Sequence, residues 1–164
     1  GPVRFELAQR YDSPAADVSG AYADPALYPT LVGLPKLGGI EVLDRSGPDD
    51  RPRMRIRFRF TGQLPSAVTA VIDPDRLTWV QESEHDVAAG TGTFRLVPDH
   101  YPDRLRASGS WRCADDGDGA RRVVRGELKV RAPLVGGRVE QAIVSGLEEY
   151  LAAEAPAVDR HLAG

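Results

Sequence analysis

Between Arg51 and Thr61 the chain alternates residue by residue: Met54, Ile56, Phe58 and Phe60 share one parity, and Arg53, Arg55, Arg57 and Arg59 the other. Successive side chains of a β-strand point to opposite faces, so an extended strand sorts this pattern into one apolar and one basic surface. A helix would scatter the arginines around its circumference. The segment therefore sets the problem for the rest of the chain: a sheet with an apolar face exists, and something must cover it.

Shorter alternating runs flank this one. Turn signals separate them at Ser46-Gly47-Pro48-Asp49-Asp50, Asp73-Pro74-Asp75, Pro98 to Asp103 and Asp115 to Gly119. Strands are predicted over 3–11, 40–45, 51–61, 77–87, 91–97, 104–113 and 121–131, an antiparallel sheet of about seven strands. In the first, Phe5, Leu7 and Gln9 share a face opposite Arg4, Glu6 and Arg10. Ser13-Pro14 and Asp24-Pro25 then each place a capping side chain before a proline. They predict two short helices, over 14–22 and 25–33, with Gly33 and Pro35 stopping the second. Residues 64–72 read as a loop with a short helical turn.

From Gly137 the spacing becomes helical, and Val139, Ala142, Ile143, Gly146, Leu147, Tyr150 and Leu151 form one apolar stripe. The helix is expected to end or kink at Pro156, leaving 157–164 as a fraying tail. It is the only element long enough to fill a bent sheet. The expected fold is α+β: a curved antiparallel sheet wrapped around a long C-terminal helix, with two short helices after the first strand.

The 164 residues suit one domain, taken as 3–156, and Gly1-Pro2 reads as the scar of a cleaved tag. No basic-then-apolar leader and no apolar run of bilayer length is present, so a cytoplasmic protein without integral membrane association is expected. The single Cys113 excludes a disulfide framework and a cysteine zinc site. A net charge of -3 argues against nucleic acid as partner. All but Lys36 and Lys129 of the 21 basic residues are arginine, as codon usage in a GC-rich genome would produce.

On the strand over 77–87, Glu82, Glu84 and Asp86 share a parity that can place them opposite the arginine row as cross-strand pairs. The row then reads as a solvated outer face, or else as a surface for anionic membranes or a partner protein. The other parity carries Leu77, Trp79, Gln81, Ser83 and His85 toward the helix. Buried there, Gln81, Ser83 and His85 need polar partners, which a ligand head group or water could supply; the alternative is that this strand end reaches solvent at the mouth of the sheet. Phe58, Phe60, Phe94, Trp111, Leu128, Ile143, Leu147 and Tyr150 complete the inner apolar set, and the Tyr150 hydroxyl too needs a partner if buried. No Ser-His-Asp order or activated nucleophile accompanies His85, so no catalytic set is assigned. His100 and His161 fall in a loop and a tail, and neither a metal site nor a cofactor is expected. Gly136-Gly137 lacks a phosphate-loop pattern and reads as a tight turn.

The element order resembles the helix-grip, START-like (SRPBCC) superfamily. Two segments carry the likeness: Val3-Arg4-Phe5-Glu6-Leu7 through Tyr11-Asp12-Ser13-Pro14, and Gly126-Glu127-Leu128-Lys129-Val130-Arg131-Ala132-Pro133-Leu134-Val135-Gly136-Gly137-Arg138-Val139-Glu140. Within the superfamily the chain looks most like a family of actinobacterial proteins described only as a domain of unknown function. The resemblance implies a cavity between sheet and helix that binds or carries a hydrophobic small molecule such as a lipid, fatty acid or polyketide-like compound. A cyclase or dehydratase using Gln81, Ser83, His85 and Tyr150 is the enzymatic alternative.

Overall fold

The alternating segment is strand β3 (Arg53–Phe60), buried on the Met54, Ile56, Phe58 and Phe60 side. The computed structural model describes residues 1–164. Before β3 come β1 (Val3–Tyr11), helix α1 (Ala15–Tyr22), a 3-10 turn (Pro25–Thr30) and β2 (Leu37–Ser46). After it follow the short helix α2 (Ser66–Thr69), a 3-10 turn (Pro74–Arg76), β4 (Thr78–Asp86) and β5 (Thr91–Pro98). β6 (Leu105–Asp116), β7 (Gly119–Val130) and helix α3 (Gly136–Ala163) complete the chain.

The strands form one antiparallel sheet of seven in the order β1-β7-β6-β5-β4-β3-β2. Strands β2 to β7 run as a meander of neighbours. The link from β1 to β2 must instead travel from one edge of the sheet to the other, and α1 with the following 3-10 turn makes that crossing. Helix α3 packs on β1, β7 and α1, covering the inner face of the sheet as the helix-grip arrangement requires.

Outside, the register pairs Arg53 with Glu84 and Arg55 with Glu82 across β3 and β4. Ion pairs close between Arg55 and Glu82 (3.7 Å) and between Arg51 and Asp86 (3.0 Å). Arg57 forks onto Asp99 through two 3.0 Å hydrogen bonds. Such exposed pairs contribute about 0–1 kcal/mol each; their consequence here is to balance much of the basic face.

Three local readings need correction. Ser13 does not cap α1. Its hydroxyl donates to Asp159 Oδ1 at 2.8 Å, and the Ala15 amide donates instead to Asp115, 2.8 Å away on β6. A tertiary neighbour thus replaces the local cap. The second short helix is a 3-10 turn that stops at Thr30, with Pro29 inside it; Asp24 does cap it, accepting from the Ala26 amide at 2.9 Å. Most consequentially, α3 runs through Pro156 to Ala163. Proline removes one backbone donor, but Ala157 and Val158 beyond it are buried. Asp159 there accepts from the Asp12 and Ser13 amides at 2.9 and 3.2 Å. Docking against the β1–α1 junction outweighs the local proline signal.

Candidate ligand cavity

One row of residues across three strands shows how the inner face is shaped. His85 pairs with Gly92, and Gly92 with Trp111. A Cβ at Gly92 would lie 2.0 Å from the Trp111 ring, so only glycine lets the indole lie flat over the strand. The indole then meets the His85 imidazole edge-on, 4.9 Å between ring centres.

Beneath these rings, between sheet and α3, lies a cavity of about 110 Å³ bordered by 21 residues, 17 of them hydrophobic. Phe58, Trp79, Gln81, His85, Phe94, Trp111, Ile143, Leu147 and Tyr150 all line it. Two residues of the expected set do not. Phe60 is buried beside Gly146 of α3, where a Cβ would lie 2.9 Å from its ring, so it closes the helix–sheet contact. Ser83 is buried with its hydroxyl 3.0 Å from His85 Nε2. It holds the imidazole from two residues away on the same face of β4.

Sequence reasoning missed the polar end of the cavity. Arg122 of β7 and Glu154 of α3 both line it and both are buried. Gln9 stands between them: its Oε1 accepts from Arg122 Nη1 at 2.7 Å, while its Nε2 donates to Glu154 Oε1 at 3.2 Å and to the Leu151 carbonyl at 3.0 Å. The Tyr22 hydroxyl donates to the same Glu154 oxygen and sits 2.7 Å from the Tyr11 hydroxyl. Aromatic faces hold the guanidinium, with its carbon 4.1 Å from the Tyr22 ring centre and 5.2 Å from that of Trp111. The signals were present. Gln9 shares its parity with Phe5 and Leu7, and Glu154 lies one turn beyond Tyr150 on the apolar stripe.

Electrostatics follow from this burial. Loss of water works against the Arg122 charge, but Tyr22, Tyr11 and Glu154 outweigh it and the guanidinium is held protonated. Burial, then the Glu154 charge, pushes the Tyr22 and Tyr150 hydroxyls well above their usual range, so both remain donors. Burial and then the Arg122 charge bring His85 down to about 4, leaving a neutral imidazole at pH 7. The Cys113 thiol is raised by burial, an inert group. No cluster of three or more His, Cys, Asp or Glu side chains could hold a metal ion, and no helix is long and apolar enough to cross a membrane.

The comparison that decides family membership spans almost the whole domain: a profile described as "Protein of unknown function (DUF2505)" matches residues 6–162. The chain belongs to the DUF2505 family. Solved structures share the fold of this DUF2505 domain. The Zhui aromatase/cyclase from Streptomyces sp. R1128 superposes with a TM-score of 0.68 at 17% identity, covering 99% of this chain and 94% of that one. TTHA0849 from Thermus thermophilus gives 0.65 at 21% identity, over 99% and 97%. Norcoclaurine synthase from Thalictrum flavum gives 0.61 at 18% identity, over 99% and 86%. At these identities the likeness establishes the helix-grip fold and no activity. A search of curated proteins found no match to the DUF2505 chain.

Proposed function

We propose that this DUF2505 domain binds a compact, largely apolar small molecule in the cavity between the sheet and α3. The observation that carries the reading is a mostly hydrophobic cavity with a few buried polar groups at one end, the usual make-up of a small-molecule site. Volume narrows the ligand. An engineered cavity of roughly 150 Å³ takes up benzene, so about 110 Å³ suits a ring-sized molecule, or the ring end of a polyketide-like one. A lipid or fatty-acid chain would require the helix to move away from the sheet.

The same cavity supports an enzymatic reading less well. Gln81, His85 and Tyr150 border it together, and an aromatase/cyclase is among the structural neighbours. But a histidine near 4 is a weak base at neutral pH, and its Nε2 is engaged by Ser83. Binding without chemistry fits those groups better.

Both tryptophans of the chain line the cavity, so intrinsic fluorescence reports occupancy. Titration with styrene should give a saturable change below millimolar concentration, and palmitate a much weaker one. If neither binds below about millimolar, which corresponds to roughly -4 kcal/mol, the reading fails.

A further inference from the structure

Two buried polar groups that border the cavity lack partners. Arg122 Nε and the Tyr150 hydroxyl each make no hydrogen bond, in residues only 8% and 2% exposed. A guanidinium offers five N–H donors, and the only hydrogen bond the Arg122 side chain makes is that from Nη1 to Gln9. Burial and then the nearby Glu154 carboxylate, one helical turn on, keep the Tyr150 hydroxyl protonated; that carboxylate approaches it but does not reach hydrogen-bond geometry. Buried donors are almost always paired, because leaving one unpaired carries its full desolvation cost. Arg122 is also fixed in place, between the Tyr22 and Trp111 rings and tied to Gln9. The cavity thus presents two donors, Arg122 Nε and the Tyr150 hydroxyl, that no protein acceptor meets.

Resting on the cavity reading above, we infer that the molecule bound there carries an uncharged oxygen acceptor, such as an aldehyde or ketone carbonyl, received by the Arg122 guanidinium and the Tyr150 hydroxyl. Charge selects the neutral form. Glu154 borders the same cavity, and its carboxylate already compensates the single buried guanidinium, so a second carboxylate would be repelled. The apolar remainder of the lining takes the ring.

Benzaldehyde, styrene and benzoate test this with one ring and three end groups: a carbonyl oxygen, a vinyl carbon of the same shape, and an anion. Calorimetric or fluorescence titration should show benzaldehyde binding about tenfold tighter than styrene, with benzoate weakest. A purely apolar cavity would prefer styrene, because benzaldehyde gives up more hydration on entry. Tyr150→Phe removes only an unpaired hydroxyl and should fold normally; it should reduce the benzaldehyde preference several-fold and leave styrene affinity unchanged. Styrene binding as tightly as benzaldehyde in both proteins overturns the inference while the cavity reading stands. Benzoate binding tightest overturns the choice of a neutral acceptor. Binding by none of the three overturns the inference and the cavity reading together.

Discussion

Gln9 and Arg122 are register partners on β1 and β7 and meet on the inner face through a 2.7 Å hydrogen bond. That bond is the guanidinium's only one, and Gln9 passes the connection on to Glu154. Gln9→Leu therefore strips a buried cation of its acceptor and should destabilise the fold by about 3 kcal/mol in chemical denaturation. Combined with Arg122→Met, the loss should fall short of the sum of the two single losses by about 1 kcal/mol or more, as expected for residues in one network.

Gly92 is the thin point of the wall between His85 and Trp111. Because an added Cβ would overlap the indole, Gly92→Ala should cost about 1–3 kcal/mol, the usual range for overpacking. It should also shift the Trp111 emission. A melting temperature and spectrum equal to those of the parent would show that the indole does not lie over this strand.

His85 makes stability depend on pH. Its folded value of about 4 lies below the ordinary 6.5, so between those values the unfolded chain binds a proton that the native state refuses. Stability is full above about pH 6.5 and is lost as pH falls toward 4. Between pH 7 and pH 5 this single group should remove about 2 kcal/mol. His85→Gln should flatten that slope in urea titrations; an unchanged slope would assign it to other groups.

Pro156 sits exposed inside α3, where it supplies no helical N–H. Pro156→Ala should stabilise the domain by up to about 3 kcal/mol, read as a higher denaturation midpoint. A loss of stability would mean that the proline sets a bend needed to bring Asp159 onto Ser13.

The fold was legible because its signals are periodic. The parity of β3 and β4, the strand spacing and the stripe of α3 each depend on residues near one another in sequence, and they place Trp79, His85 and Tyr150 on one cavity. What stayed hidden depends on contacts between distant residues. Asp115 supplies the α1 cap across a separation of 100 residues, and Asp159 anchors a helix end that a local reading of Pro156 would terminate. Arg122 lay in a strand full of arginines, where Val123 and Val124 put apolar residues on both parities. Alternation there does not tell an inward arginine from its exposed neighbours Arg121 and Arg125. Its importance emerges only once Gln9 and Glu154 are seen beside it.

The most direct test of the central claim, that the space between sheet and α3 accepts a ring-sized apolar occupant, is diffraction from a xenon-pressurised crystal. Dry apolar cavities of this size take up xenon. The account predicts a xenon peak among Trp79, Trp111, Leu147 and Tyr150; a fully packed interior there, with no peak at saturating pressure, would contradict it.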